Sequence, residues 1–351
     1  MASRVKLLVS ALEPSSNLHL KEMLKYTQDV ELLGIFDKSL GSPFYDISDM
    51  AIMGVVDAIK KLRWFFQVAN EMVELAKDAD KVLLMDSSGF NLPLAKKLKK
   101  AYPNKEIIYY ILPQIWASRP KRAIKLEKYC DRLLGILPFE VDYYKSKAEY
   151  IGHPLLDEIT IKHQPNSSAI SFMAGSRKSE ISRLLPIFKE LQKELKDRES
   201  LLIIPSSFSN EKIENLYGDI SMFTIERDTH IALAKSEFAF ICSGTATLES
   251  AMIGTPFTLC YIAKKIDYFI GKKLLNIKQV GLANIILTNH NGTTLHNELL
   301  QDEVTVENLL QEYYQTNRAI FAEKAKELKS YLGHGSSKYV AQILSNSKNY
   351  E

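Results

Sequence analysis

One segment in the second half of the sequence is suited to binding an anion. An apolar, β-prone run ends at Cys242, a loop of Ser243, Gly244 and Thr245 follows, and helix-compatible residues continue to Gly254. The loop therefore leads into a helix N-terminus, where unpaired N–H groups and the helix dipole favour negative charge. Glycine lets a phosphate approach the backbone, and the two hydroxyls add donors. The segment predicts a phosphate site, with an ordinary helix cap as the alternative.

Two further side chains in this half fit a nucleoside diphosphate. Glu249 lies about one turn into the same predicted helix, where a carboxylate can accept hydrogen bonds from ribose hydroxyls. Arg177 ends another strand-like run, and its guanidinium can bind a diphosphate and neutralise charge on a leaving group. The alternatives are an ordinary surface glutamate and a surface arginine paired with Glu180.

A candidate general base lies in the first half. Asp86 follows a strand-like run and starts a polar loop that reaches Asn91. A carboxylate there can take a proton from a hydroxyl when it is ionised and within hydrogen-bond reach. Capping of the helix near Leu92 is the alternative. On the loop after the first strand, Glu13 and Ser15 are candidate sugar contacts, again with helix capping as the alternative.

The sequence contains no pattern typical of a metal or cofactor site. Asp78-Ala79-Asp80 matches the D-x-D pattern of metal-dependent glycosyl transfer, but it precedes a strand, at the end of the sheet away from ligands. The seven histidines lack metal-ligand spacing, and no G-x-G-x-x-G or Walker loop is present. Cys242 and Cys260 lie in apolar runs and are predicted to be buried. We therefore expect no metal and no cofactor.

A different segment has the character of a membrane-interface helix. Its apolar stripe comprises Val55, Val56, Ile59, Leu62, Phe65 and Phe66, with Trp64 beside it. Lysines and an arginine flank the stripe, and a basic amphipathic helix with bulky aromatic residues is typical of a membrane interface. A core-facing helix is the alternative. From Ala95 to Lys128, ten Lys or Arg residues stand against two acids, which favours an anionic partner.

These candidates must be positioned by alternating strands and helices. Near-continuous apolar runs separated by helical stretches predict α/β structure with parallel sheets buried on both faces. Strands are predicted at Val5–Ala11, Glu31–Phe36, Lys81–Met85, Ile107–Leu112, Arg132–Leu137, Ala169–Ala174, Leu201–Pro205, Met222–Ile225, Glu237–Cys242 and Phe257–Tyr261. Asp86, Arg177 and Ser243 all follow such runs, at the carboxyl ends where ligands bind.

Length and composition predict two domains. At 351 residues the chain exceeds what one hydrophobic core usually supports. The pattern restarts after a turn-rich stretch near residues 151–168, so we predict Rossmann-like domains at 1–160 and 161–303 that face each other across a cleft. Polar helices at 304–351 are predicted to pack across both. A net charge of +3 is too small to indicate nucleic acid, and no apolar run approaches the roughly 18 residues of a membrane span.

Taken in order, these segments resemble the lipid-A-disaccharide synthase family, which are glycosyltransferases of GT-B architecture. The similar segments are Asp49–Val56, Asp86–Asn91, Tyr110–Arg119, Leu137–Glu140, Gly152–Leu155, Gly175–Arg177, Ser243–Glu249 and Val280–Asn284. The sequence departs from the family in the loop Leu12–Asn17, which lacks the usual two glycines and aspartate. Gly89 replaces a second aspartate after Asp86, and Ser118 replaces a tryptophan.

The resemblance implies an inverting, metal-independent transfer of diacylated glucosamine from UDP to diacylated glucosamine 1-phosphate. The products would be a β-1,6 disaccharide 1-phosphate and UDP. Asp86 would be the base for the acceptor 6-hydroxyl and Arg177 a catalytic diphosphate contact. The implied UDP contacts are Arg177, Ser243, Gly244, Thr245, Glu249 and Asn284, and the implied sugar contacts are Glu13, Ser15 and Asn91. Residues 1–160 would face acceptor and membrane, and 161–303 would bind UDP.

The implied setting is the cytoplasmic face of an inner membrane, with an anionic surface as a partner and a homodimer as a further option. One alternative is a UDP-sugar epimerase of the same fold, which would act on unacylated sugars and would not need the apolar stripe. Another is a non-catalytic, membrane-associated binder of nucleotide sugars. In the latter, Asp86 would not face the anomeric carbon of the bound sugar.

Overall fold

The computed structural model describes residues 4–52, 58–117, 119–164, 168–263 and 279–345. The chain divides into two compact units, one of Met1–Glu158 with Leu332–Glu351 and one of Ile159–Tyr331. The sequence predicts a first boundary after residue 160 and a single helical group at 304–351. In the structure, residues 304–331 belong to the second unit, and only the last part of the chain returns to the first.

The first unit is built on a sheet of parallel strands. In chain order these are β1 Val5–Ala11, β2 Val30–Phe36, β3 Tyr45–Asp46, β4 Lys81–Met85, β5 Glu106–Tyr110, β6 Arg132–Gly135 and β7 Ala148–Tyr150. Their spatial order is β3-β2-β1-β4-β5-β6-β7. The helices are α1 Pro14–Leu24, α2 Ile47–Ile52, α3 Ala58–Leu75, α4 Ser88–Ala101, α5 Arg122–Tyr129 and α6 Leu155–Glu158.

The second unit repeats this plan. Its strands are β8 Ala169–Met173, β9 Glu199–Ile203, β10 Thr224–Glu226, β11 Ser236–Cys242, β12 Phe257–Tyr261 and β13 Glu298–Leu300, in the order β10-β9-β8-β11-β12-β13. Its helices are α7 Lys178–Glu194, α8 Asn210–Tyr217, α9 Thr229–Lys235, α10 Thr245–Ile253, α11 Leu282–Asn291, α12 Val306–Gln315 and α13 Arg318–Leu332. All strand pairs are parallel, which confirms the predicted α/β class with two parallel sheets.

The first sheet is buried on both faces, as its continuous apolar strands require. On β4, Val82 and Leu84 pack with α3 and α4, whereas Leu83 and Met85 pack on the other face with α1. A last helix, α14 Ser336–Ser345, completes that second face. Lys81, at the start of β4, donates to the Ile343 carbonyl at 2.5 Å and so ties α14 to the sheet.

In each unit, the strand order explains why the polar candidates lie at one edge of the sheet. In the first sheet the chain moves to one side of β1 with β2 and to the other with β4. In the second sheet it moves to one side of β8 with β9 and to the other with β11. Ligands of such sheets bind at these switch points, beyond the carboxyl ends of the strands. Glu13 and Asp86 follow β1 and β4, while Arg177 and Ser243 follow β8 and β11.

Candidate active-site residues

Asp86 begins a strained turn after β4. Asp86 and Ser87 both adopt left-handed backbone conformations, with φ of 47° and 39°. Non-glycine residues hold such values only where surrounding contacts determine them. The Asp86 N–H donates to the Tyr110 carbonyl at 3.1 Å, and its own carbonyl accepts from the Tyr109 hydroxyl. The turn therefore fixes the direction of the Asp86 side chain.

Asn91 is the second support of this turn. It is fully buried, and its Nδ2 donates to the carbonyls of Met85 and Asp86 at 3.0 Å each. Its Oδ1 accepts from the Ser10 hydroxyl at 2.6 Å. These bonds join the ends of β1 and β4. In the structure the Asn91 amide orients the Asp86 turn. The direct sugar contact expected of Asn91 stays a prediction.

The surroundings of Asp86 favour a carboxyl that accepts protons. Burial raises the pKa of Asp86 above its usual range, and the negative charge of Glu13 raises this pKa further. A hydrogen bond from the Ser87 N–H lowers the pKa of Asp86, and so does the electrostatic effect of the nearby His19. A raised pKa brings a carboxylate closer to the pH at which a general base is most effective.

The loop after β1 approaches the same turn. Glu13 is exposed, and its Oε1 accepts from the Ser87 hydroxyl at 3.2 Å. Within the loop that departs from the family, Asn17 donates to the Ala11 and Glu13 carbonyls at 2.8 and 2.9 Å and accepts from the Asp37 N–H at 2.7 Å. The asparagine amide thus closes the loop and holds Glu13 beside Ser87. Ser15 is half-buried on the first turn of α1.

Two charged or titratable side chains near the Asp86 turn were not singled out in the sequence. His19 is buried on α1 and contacts the carboxylate of Glu158, 139 residues away in the chain. Arg122 on α5 donates to the Ser88 hydroxyl at 2.7 Å, which brings a guanidinium to the N-terminus of α4. Arg122 belonged to the predicted basic stretch, but only the packing of α5 shows which of those cations reaches the Asp86 turn.

The predicted membrane stripe is only partly described. Val55 and Val56 lie outside the described residues, as do the side chains of Ile59 and Leu62. Trp64 and Phe65 pack inwards, with ring centroids 5.8 Å from Tyr45 and 5.6 Å from Phe90, as the core-facing alternative predicts. Phe66 is 53% exposed. Within the described ranges, no helix has the length and hydropathy of a transmembrane segment.

Arg177 stands at the N-terminus of α7, where Glu180 organises the backbone. The Glu180 carboxylate accepts from the N–H groups of Ser176 and Arg177 at 3.1 and 3.2 Å and pairs with the Arg177 guanidinium at 2.8 Å. A Cβ on Gly175 would lie 2.5 Å from this carboxylate, so glycine is required there. The ion pair between Arg177 and Glu180, which the alternative interpretation predicts, is present. Even so, 78% of the arginine side chain remains exposed and open to a ligand.

The Ser243–Thr245 loop has the predicted geometry. Strand β11 ends at Cys242, α10 begins at Thr245 and β12 follows, which confirms the strand, loop, helix and strand order. Gly244, with φ of 146°, occupies the N-cap, and a Cβ there would meet no atom within 4 Å. Gly244 and Thr245 are exposed. The N-terminus of α10 is therefore exposed at Gly244 and Thr245, where a ligand can reach backbone N–H groups of the first turn.

Glu249 lies on α10, one turn from the loop, and is half-buried. Its carboxylate is 3.5 Å from His230 Nε2 on α9. This neighbour could not be predicted from the sequence, because the two helices pack side by side only in the folded unit. The Glu249 carboxylate therefore has a neighbour on α9 that can restrict its orientation.

Asn284 has a structural role in the second unit. It is 2% exposed, and its Nδ2 donates to the His296 carbonyl and to Glu298 at 2.9 and 2.8 Å. Its Oδ1 accepts from the N–H groups of Leu295 and His296 at 2.8 and 3.2 Å. The amide is therefore fully engaged between α11 and the segment leading to β13. The expected direct contact to UDP stays a prediction.

Replacing Asn284 by alanine should lower the free energy of unfolding by at least about 1–3 kcal/mol, because buried donors and acceptors lose their partners. Urea unfolding measures the change. Asn289→Ala is the matched control, since Asn289 is exposed on the same helix, and it should leave the unfolding midpoint nearly unchanged. Equal midpoints for the two variants would contradict a structural role for the Asn284 amide.

Comparison with known proteins gives a family and a fold. A family model described as lipid-A-disaccharide synthetase matches residues 7–345. The lipid-A-disaccharide synthase of Helicobacter pylori strain G27 is 47% identical over 349 residues, which is 95% of this chain and 96% of that protein.

Two solved structures are similar at low identity. The UDP-GlcNAc 2-epimerase from Neisseria meningitidis, bound to UDP-GlcNAc, has a TM-score of 0.62 at 11% identity, covering 97% of this chain and 98% of the other. The glycosyltransferase SnogD from Streptomyces nogalater has a TM-score of 0.57 at 14% identity, with coverage of 97% and 98%. These likenesses concern the fold alone, and they confirm the predicted GT-B fold class.

Proposed function

The chain belongs to the lipid-A-disaccharide synthetase family, and from this premise we propose how it joins two acylated glucosamines. It is a glycosyltransferase that forms the lipid A disaccharide. The donor we propose is UDP-2,3-diacylglucosamine, and the acceptor is 2,3-diacylglucosamine 1-phosphate. The products are the β-1,6 disaccharide 1-phosphate and UDP. The observation that carries this proposal is the family match over residues 7–345.

On the acceptor side, Asp86 is the general base. The acceptor 6-hydroxyl gives its proton to the Asp86 carboxylate while its oxygen attacks the anomeric carbon of the donor. The new C–O bond forms on the face opposite the departing UDP, so the anomeric configuration inverts. The raised pKa of Asp86 and the fixed turn that carries it support this role. Glu13, next to Ser87, holds the sugar by accepting from its hydroxyls, together with Ser15.

On the donor side, two groups stabilise the leaving UDP. Negative charge grows on the diphosphate as the glycosidic bond breaks, and preorganised donors aimed at that charge lower the barrier. The N–H groups and hydroxyls at Ser243–Thr245 and the exposed guanidinium of Arg177 are such donors. Glu249 accepts from the ribose hydroxyls, with His230 beside it on α9. Asn284 supports the site by fixing the start of α11.

Because both proposed substrates are acylated, we propose that the enzyme works as a peripheral protein at the cytoplasmic face of the inner membrane. The exposed ring of Phe66 and the basic residues after Ala95 support binding to an anionic lipid surface. Phe66→Ser should reduce the fraction of protein that sediments with anionic vesicles. Ile320→Ser, a change at a similarly exposed residue of the second unit, should not reduce it. Equal sedimentation of both variants would argue against this surface.

A mass-resolved assay with both acylated substrates in detergent tests the proposed reaction. We expect a product whose mass equals that of the donor plus that of the acceptor minus that of UDP, formed together with free UDP. A separate incubation with an unacylated UDP-sugar is followed by NMR, because an epimer has the same mass as its substrate. An epimer there, without disaccharide formation in the first assay, would support the epimerase alternative. Binding of UDP-sugar without any product would support the non-catalytic alternative.

A further inference from the structure

A cavity of about 360 Å³ opens between α3 and α4 in the first unit, and its lining is mostly apolar. The apolar lining residues are Leu12, Phe65, Phe66, Ala69, Phe90 and Pro93. We infer that this pocket binds one fatty acyl chain of the acceptor and that Gly89 sets the chain length it accepts. The inference rests on the proposed function, because it names which part of the acceptor enters this pocket.

The polar end of the pocket coincides with the proposed catalytic turn. Glu13 and Ser87 line the pocket, their side chains are joined by a hydrogen bond of 3.2 Å, and Ser87 directly follows Asp86. A sugar whose hydroxyl reaches Asp86 therefore has an apolar opening next to it. The lining comes entirely from the first unit, which also carries the base. This assigns the pocket to the acceptor rather than to the UDP-linked donor.

The charge at the pocket fits an amphiphile with an anionic head. Lys97 lines the pocket, and its ammonium group lies 5.6 Å from the centre of the Phe66 ring. An apolar interior beside a cation matches an acyl chain attached to a sugar phosphate. Each methylene that the pocket removes from water strengthens binding by about fourfold. The pocket can therefore separate acceptors that differ by only a few methylenes.

Gly89 leaves this pocket open. It is the second residue of α4 and lines the pocket, and a Cβ built there meets no atom within 4 Å. Its backbone does not need the left-handed conformation, so a larger residue can be introduced without strain. A side chain at this position would occupy space at the pocket wall. Because glycine is also a poor helix former, the substitution should not weaken α4.

The test compares Gly89→Ala and Gly89→Trp with wild type, using acceptors with long and short acyl chains. Gly89→Trp should raise the ratio of KM for the long-chain acceptor to KM for the short-chain acceptor by about tenfold or more, and Gly89→Ala should raise it less. KM for the short-chain acceptor should change less than KM for the long-chain acceptor in both variants. Glu74→Trp, at an exposed position of α3, is the control and should leave the ratio at its wild-type value. Thermal unfolding by circular dichroism verifies that each variant is folded.

A folded Gly89→Trp protein with the wild-type KM ratio would overturn the inference. So would a variant whose KM changes with the donor's chain length and not with the acceptor's. Both outcomes differ from failure of the proposed function. If the proposed function were wrong, the wild-type enzyme would form no disaccharide from any pair of acylated substrates.

Discussion

Replacing Asp86 by asparagine should lower the turnover number of disaccharide formation by roughly 10²–10⁴-fold, because the amide cannot accept the proton of the acceptor hydroxyl. The fold should survive this change. The hydrogen bonds that hold the turn use the main-chain N–H and carbonyl of Asp86, and asparagine tolerates positive φ as aspartate does. The measurement is steady-state turnover with both acylated substrates, with the thermal unfolding midpoint as control.

The pH profile gives a second readout of the same base. Catalysis needs the ionised carboxylate, so activity should fall as the pH drops through the pKa of Asp86. Since burial and Glu13 raise this pKa, the fall should begin above the usual carboxyl range. Glu13→Gln removes one negative charge and should move the acidic limb to lower pH. Near-normal turnover of Asp86→Asn would eliminate Asp86 as the base. So would a wild-type pH profile without an acidic limb.

Replacing Arg177 by glutamine should lower turnover by roughly 10²–10³-fold, because a donor aimed at the developing diphosphate charge is lost. Stability should change little, since the side chain is 78% exposed and exposed ion pairs contribute little. Lys178→Gln is the matched control, as Lys178 is the next residue and is also exposed. The inhibition constant of UDP should rise for Arg177→Gln alone. Equal turnover numbers and equal UDP inhibition constants for the two variants would mean that Arg177 pairs with Glu180 and does not bind the diphosphate.

Local patterns in the sequence were sufficient for the main elements of the fold. The β11–α10–β12 segment could be predicted because its apolar runs are long and its loop contains Gly244. The start of α4 was predicted too late, near Leu92, because proline at Pro93 is typical of a first helical turn. In the structure α4 already begins at Ser88, where the strained Asp86 turn ends. Strands of two or three residues, such as β3, β7 and β13, have too few residues for a recognisable pattern.

A residue of the candidate site could be predicted from the sequence only where its neighbours in the chain decide its role. Asp86 and Ser243 could be proposed as candidates because each follows an apolar strand. The pairing of His19 with Glu158 depends on packing between distant segments. Asn91 and Asn284 were expected to touch substrates, yet both are buried and bonded to backbone groups. An asparagine that orients a turn and one that binds a ligand look alike in a sequence.

A crystal structure with bound UDP is the decisive experiment for the catalytic roles proposed above. The diphosphate oxygens should accept hydrogen bonds from the N–H groups at the start of α10, near Thr245, and from the Arg177 guanidinium. The ribose hydroxyls should donate to Glu249. UDP bound elsewhere on the protein, with the α10 N-terminus and Arg177 untouched, would contradict both the donor site and the mechanism built on it.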